Sequence, residues 1–242
     1  MSPDHIFMDL DGCLIGPHGK TNASPSEVRE LILKLQSKGI KVGLNSNRGK
    51  LDLVDVAGKF GMNGFNIIER GAAAISNGSV LVREFAEKMS LSEEYIPMKV
   101  HDIKHPEKNL TGIFYDYARE YTFSAYCLMD SKPDLGTARG LVALLEQEHP
   151  AYDSWMKDNG HVWCMPKSVD KGTPFTELFR DKVIMMIGHD RDDLPALAAA
   201  GYSAAPANLD DEISRHVHYV SPYPYTRGVA DILQRILSGR AE

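Results

Sequence analysis

Asp9-Leu10-Asp11-Gly12-Cys13 lies directly behind the apolar run Ile6-Phe7-Met8. Two carboxylates one residue apart at the exit of a buried strand make an oxygen-rich pocket suited to Mg2+ and to nucleophilic attack on phosphorus. An Asp-x-Asp-Gly stretch is also an ordinary solvated turn, so its meaning depends on its companions. Asn45-Ser46-Asn47-Arg48 follows a second apolar run, and Gly188-His189-Asp190-Arg191-Asp192-Asp193 follows a third. Lys171 stands at the opening of a helical segment, where a cation is electrostatically unfavourable and so asks for another reason. Ligands of open parallel sheets gather at the carboxyl ends of the strands, so two acidic turns, a hydroxyl and a lysine on one rim form a phosphoryl-transfer constellation. Arg48 beside that rim is a candidate phosphate or substrate contact. Asn47, in the same turn, is grouped with it.

The elements that must position these residues follow from patterning. Ile6 to Met8 predicts a buried strand. Ser24-Pro25-Ser26-Glu27 has the form of a capping box with proline at the first helical position. The helix it opens carries Val28, Leu31, Ile32 and Leu35 on one face. Ile40 to Leu44 predicts a second strand, Leu51 to Phe60 a helix, and Asn66 to Glu69 a third strand. This β-α-β-α-β alternation points to a parallel sheet wound with helices. Ala73 to Ile75, the Asn77-Gly78 turn and Val80 to Val82 read as a hairpin. The middle third mixes strands at Gly112 to Asp116, Thr122 to Leu128 and His161 to Met165 with a helix at Gly140 to Glu148. Parallel-sheet grammar returns with a helix from Lys171 to Phe179, a strand at Val183 to Ile187, a helix at Leu194 to Ala200, a strand at Tyr202 to Ala205 and a closing amphipathic helix from Val229 to Leu237. The tyrosine- and proline-rich stretch Tyr219 to Tyr225 reads as a packed loop. The fold class expected is α/β: a Rossmann-like parallel core of residues 1–83 and 168–242, with an inserted α+β unit at 84–167.

These motifs, in this order, resemble the haloacid dehalogenase superfamily of phosphohydrolases, in the Cof-type branch with a large α+β cap ahead of the lysine motif. The resemblance runs from Asp9 to Leu237. The tail, Ala205-Pro206-Ala207-Asn208 and then Gly228-Val229, is similar to that of phosphoglycolate and related sugar-phosphate phosphatases. The resemblance implies that Asp9 is the nucleophile, forming an aspartyl-phosphate while its other oxygen binds Mg2+. It implies that Asp11 protonates the leaving oxygen, later activates water and ligates the metal through its carbonyl. Ser46 would hold a phosphoryl oxygen, and Lys171 would neutralise charge between that group and Asp9.

Two positions depart from the pattern. The acidic motif of the family reads Gly-Asp-x-x-Asn-Asp, so its first metal-binding Asp is His189 here. Imidazole is a poor ligand for a hard cation. Either Asp190, Asp192 or Asp193 takes over ligation beside Asp9 and Asp11, or affinity falls, or a softer ion such as Mn2+ is preferred. Arg70 stands where many relatives carry Asn. It would bind a substrate carboxylate or second phosphate, or pair with Glu69 or Asp192.

Composition narrows the remaining choices. The 242 residues, 43% hydrophobic and 25% charged, suit a soluble globular protein. A net charge of −6 argues against sequence-independent nucleic-acid binding. No apolar run is long enough for a membrane span, and the start reads as a strand without an export signal, so a cytoplasmic location is expected. Cys13, Cys127 and Cys164 have no disulfide or zinc spacing. His101, His105, His149, His161, His216 and His218 have no metal-ligand spacing either, and Lys167 reads as a surface lysine. The expectation is a Mg2+-dependent phosphatase of a small phosphorylated acid or sugar, monomer or homodimer. The alternatives are a catalytically weak or inactive relative that binds a phosphorylated ligand or partner, and a phosphosugar mutase.

Overall fold

A computed structural model describes residues 2–76, 79–89 and 110–240. The chain forms two compact units, one of residues 1–85 and 169–242 and one of residues 86–168. The first contains, in order, β1 (His5–Met8), α1 (Pro25–Ser37), β2 (Lys41–Leu44), α2 (Lys50–Phe60), β3 (Asn66–Ile68), β4 (Ala73–Ile75) and β5 (Leu81–Glu84). The second contains β6 (Gly112–Tyr115), β7 (Phe123–Met129), β8 (Lys132–Pro133), α3 (Leu135–Glu148), β9 (Tyr152–Met156) and β10 (His161–Pro166). The chain then returns to the first unit with α4 (Thr173–Glu177), β11 (Ile184–Ile187), α5 (Leu194–Ala199), β12 (Tyr202–Ala205), β13 (Tyr219–Val220) and α6 (Tyr225–Leu237).

The centre of the first unit is a parallel sheet in the order β13-β12-β11-β1-β2. β1 and β11 lie at its middle and are buried along their whole length, as apolar runs covered on both faces must be. Phe7 and Met186 point into a cluster with Phe175, Phe179, Ala196, Leu197 and Ile213. The alternate residues Ile6, Met8, Met185 and Ile187 are equally buried. α1 buries Val28, Leu31, Ile32 and Leu35, the face its periodicity marks out. Its capping box does not form: Ser24 makes no cap bond to the helix, and its hydroxyl meets that of Ser26 at 2.6 Å. α2 ends on Gly61 in the left-handed conformation.

Two elements of the first unit differ from the sequence patterning. β3 pairs antiparallel with β4, which pairs with β5, and on its other side it meets β2 through the parallel Asn45–Ile67 bridge, with Gly64 N–H donating to Val42 O at 2.8 Å and Ser46 N–H to Ile67 O at 3.0 Å. The ladder between them is irregular for a local reason: Asn66 Oδ1 accepts the Leu44 N–H at 3.0 Å and Asn63 Oδ1 accepts the Val42 N–H at 3.4 Å, so side chains take the place of backbone carbonyls at those two positions. Tyr219–Val220, expected in a loop, adds the strand β13 beside β12. The hairpin joining β4 to β5 is present, but its Asn77-Gly78 turn lies outside the described residues, as do His101 and His105.

The second unit is an antiparallel sheet in the order β6-β7-β10-β9. Phe123, Ala125, Cys127, Val162 and Cys164 pack on Ala138, Leu141 and Leu145 of α3, whose first turn is capped by Asp134. The alternate residues of β7 and β10 include Ser124, Tyr126, His161 and Trp163. The Ser124 hydroxyl meets His161 Nε2 at 2.7 Å, and the imidazole stacks on Tyr126 with centroids 4.0 Å apart. The Arg119 guanidinium lies over Trp163, bonded to Asp116 and Thr122.

Burial, with Lys157 and Arg119 nearby, pushes the His161 imidazole down from 6.5 to about 4. The folded chain therefore binds this proton more weakly than the unfolded chain. The stabilisation is present above pH 6.5 and lost as pH falls towards 4. Thermal unfolding at pH 7 and pH 5 should show wild type losing about 1–2 kcal/mol more on acidification than His161→Gln. Equal losses would contradict this assignment.

Candidate active site

Asp9 is the first residue past β1. Its N–H donates to Ile187 O at 2.9 Å, which sets it level with the end of β11. Gly12 follows with φ of 81°, a left-handed conformation that turns the chain back at once. Asn208 fixes this turn from the tail: its Nδ2 donates to Gly12 O at 2.7 Å and its Oδ1 accepts the Tyr225 N–H at 2.8 Å. Thr226 Oγ1 adds a bond to Leu14 O at 2.8 Å.

Lys171 arrives from the other side of the insertion. Asn45 Nδ2 donates to its carbonyl at 2.9 Å, and Asp170 Oδ1 accepts the N–H groups of Gly172 and Thr173 at 2.8 and 2.9 Å. Its side chain is 2% exposed, and Nζ donates to Asp9 Oδ1 and to Asp193 Oδ1, both at 2.7 Å. Burial opposes the ammonium charge, but Asp193 and Asp9 outweigh it and hold Lys171 well above the usual lysine range. An ion triad taken this far out of water persists only with such complete pairing.

Asp193 is fully buried at the end of the short turn that follows β11. It folds back over Gly188, where a Cβ would stand 2.6 Å from its own Cβ, and its Oδ2 accepts the N–H of His189 at 2.8 Å and of Asp190 at 3.3 Å. Burial alone would raise this carboxyl, yet Lys171 and His189 bring it down to about 2. His189 Nδ1 stands 3.3 Å from Asp9 Oδ2 and 3.6 Å from Asp193 Oδ2, while its ring lies over Gly12. Desolvation disfavours its charged form, but Asp193, Asp9 and Asp190 prevail and lift the imidazole to about 10. The imidazolium is a second cation beside Lys171. Burial and then Asp193 raise Asp190 to about 6.

The other sequence-derived candidates are placed around this centre. Asp11 points outward, its carboxylate held by Arg48 through Nε and Nη2, both at 2.7 Å. That bidentate pair also holds the guanidinium more strongly charged than usual. Ser46 is buried, with Oγ accepting the Arg48 N–H at 3.2 Å and its carbonyl accepting the Arg70 N–H at 3.1 Å. Asp192 accepts from Asn47 Nδ2 at 3.0 Å and lies 3.7 Å from Arg70. Among the described residues, the structure brings Asp9 and Asp193 together with His189, their ligand atoms all within 4.8 Å of one another. Asp11, Asp190 and Asp192 do not join that group. His189 enters it although sequence patterning marked the position only as a departure, and Asn208 and Asp170 emerge as positioning residues.

The donor set fits a divalent cation. Two carboxylates present oxygens on the side that Lys171 leaves open, and His189 Nδ1 faces both at ion-pair distance without an aligned hydrogen bond among the described residues. Binding there displaces the imidazole proton.

A family model described as haloacid dehalogenase-like hydrolase matches residues 6–125 and 113–233. The chain is 24% identical over 240 residues to a phosphoglycolate phosphatase of Thermoplasma volcanium, covering 94% of this chain and 95% of that one. It is 23% identical to another of Methanospirillum hungatei, covering 95% and 94%. A match to one of Aeropyrum pernix, at 28% identity, spans 129 residues, about half of each chain. Among solved structures, a haloacid dehalogenase-like hydrolase of Bacteroides thetaiotaomicron has a similar fold, with a TM-score of 0.74 at 18% identity over 97% of this chain and all of that one. A protein of Thermotoga maritima aligns with a TM-score of 0.70 at 16% identity over 97% of both chains.

Removing the central ammonium leaves the two buried carboxylates with the His189 imidazolium as their remaining cation. Lys171→Met should cost roughly 3 kcal/mol or more in urea unfolding with EDTA present. Wild-type stability in that variant would contradict the buried triad.

Proposed function

Because the chain belongs to the haloacid dehalogenase-like hydrolases and is one of their phosphatases, we propose that it is a metal-dependent phosphatase of a small phosphorylated acid or sugar, working through an aspartyl-phosphate on Asp9. The observation that carries this is the buried Lys171 ammonium, which bonds Asp9 Oδ1 and Asp193 Oδ1 at equal distance and so fixes the carboxylate that follows β1. A carboxylate held in one orientation is ready for in-line attack, and phosphoryl transfer depends chiefly on such positioning and on charge stabilisation.

In this mechanism an Asp9 oxygen forms a bond to phosphorus as the ester P–O bond breaks. The leaving oxygen takes a proton from Asp11. Asp11 then accepts a proton from water as that water attacks the aspartyl-phosphate, releasing inorganic phosphate and restoring Asp9. Arg48 pairs with Asp11 through two bonds, and a phosphate at the rim would compete for the guanidinium and so free Asp11 for proton transfer. Ser46 and Asn47 sit in the turn that contacts the phosphoryl oxygens, and Lys171 neutralises the charge developing there. Asp9, Asp193 and His189 hold the divalent cation, Mg2+ or Mn2+, which when bound withdraws charge from the phosphoryl oxygens. Direct ligation by the side chains of Asp190 and Asp192 is not part of this mechanism, and Asp11 contributes to the metal through its carbonyl.

Arg70 offers a second guanidinium for an acidic substrate, which fits a phosphorylated acid, and relatives matched along nearly the whole chain are phosphoglycolate phosphatases. The unit of residues 84–167 takes the part of the cap, and residues 1–83 and 168–242 that of the hydrolase core.

The test is phosphate release from p-nitrophenyl phosphate, phosphoglycolate and a panel of sugar phosphates, with Mg2+, Mn2+ or EDTA. Wild type should turn over at least one of these with metal, and Asp9→Asn should lose roughly 1,000-fold or more, the scale of removing a nucleophile. Absence of turnover from folded protein would favour a binding protein. Phosphoryl return to sugar would favour a mutase.

A further inference from the structure

Asp9 Oδ2 and Asp193 Oδ2 are the carboxylate oxygens that Lys171 leaves uncovered, and His189 Nδ1 faces both. Nδ1 is buried and makes no aligned hydrogen bond among the described residues, its contacts being the ion pairs to Asp9 and Asp193. The ring is held from behind instead. Its backbone N–H donates to Asp193 Oδ2 at 2.8 Å, and the ring packs so closely on Gly12 that a Cβ there would stand 2.1 Å from Nε2. An imidazole nitrogen fixed in this way and aimed between two carboxylate oxygens has the placement of a ligand.

Neither neighbouring carboxylate substitutes for it. Asp190 Oδ1 accepts the Asp192 N–H at 3.1 Å, while its Oδ2 lies 3.9 Å from Nε2, on the other nitrogen of the ring. The Asp192 carboxylate is engaged by Asn47 and Arg70. The nitrogen therefore stays in the donor set.

On the phosphatase function proposed above, we infer that His189 Nδ1 binds the divalent cation directly and that this chain consequently selects a nitrogen-accepting cation such as Mn2+ or Co2+ over Mg2+. Mg2+ is hard, takes oxygen ligands and tolerates little departure from octahedral geometry. Imidazole suits the later first-row ions, and affinity rises along that row. Some preference for Mn2+ exists at any such site, so the diagnostic quantity is how far it changes when the nitrogen is replaced by oxygen.

The full chain, stripped with EDTA and dialysed, is titrated calorimetrically with Mg2+ and with Mn2+, as wild type and as His189→Asp, with circular dichroism establishing that both are folded. Pulsed EPR of the Mn2+ form reads the ligand directly. Wild type should show hyperfine coupling to a bound nitrogen that disappears in His189→Asp, and the preference for Mn2+ should narrow by about tenfold or more. Isotopic labelling of histidine in the wild type should alter that coupling, which keeps the test decisive if the variant does not fold. Absence of nitrogen coupling, an unchanged ratio, or no binding of either ion by folded wild type would overturn the assignment. These readouts need no turnover. A chain that binds Mn2+ through nitrogen but hydrolyses no phosphate ester would refute the phosphatase function while leaving His189 as a ligand.

Discussion

Everything at the rim depends on one buried contact, the Lys171 ammonium shared between Asp9 and Asp193. Two carboxylates and an ammonium carry a large desolvation cost, which is offset only when the pairing is short and each remaining oxygen is occupied. The surrounding bonds do that. Asp193 Oδ2 takes two backbone N–H groups, and the His189 ring faces that oxygen and Asp9 Oδ2. The result is a carboxylate that cannot rotate, next to a charge that is already compensated before any ligand arrives.

The three partners are distant in sequence, so the fold has to supply the meeting point. β1 and β11 are adjacent and in register, and Asp9 and His189 leave from nearly the same level of the sheet. Lys171 reaches that level because Asn45, at the end of β2, holds its backbone. Asn208, between β12 and β13, holds the loop after Asp9. Every strand of the parallel sheet except the short edge strand β13 thus anchors part of one small polar cluster.

Much of this was legible in the sequence because buried parallel strands are short apolar runs, and polar residues directly behind them mark the rim. The helix faces were equally plain: Val28, Leu31, Ile32 and Leu35 repeat with the period of a buried stripe. What patterning did not disclose depends on single side chains. Asn63 and Asn66 interrupt the ladder between β2 and β3 by bonding to the backbone of β2 with their side chains, which no periodicity encodes. β9 is an edge strand whose Tyr-Asp-Ser-Trp-Met sequence lacks apolar alternation. Within the acidic turn, composition alone does not say which carboxylate points inward. Asp193 does so because Gly188 leaves it room, whereas Asp192 is drawn aside by Asn47 and Arg70.

The charge pattern also explains how the centre changes between states. Without metal, Lys171 and the His189 imidazolium balance Asp9 and Asp193. A divalent cation bound there would require His189 to give up its proton and would add one net positive charge to the centre, suited to an anionic phosphoryl group. The most direct test of Asp9 as the group so prepared is acid-quench mass spectrometry during turnover of a phosphate ester. A phosphoryl group recovered on the peptide carrying Asp9, and removed by hydroxylamine, is the predicted result. Steady turnover with no phosphoryl adduct, or with the adduct on another residue, would contradict it.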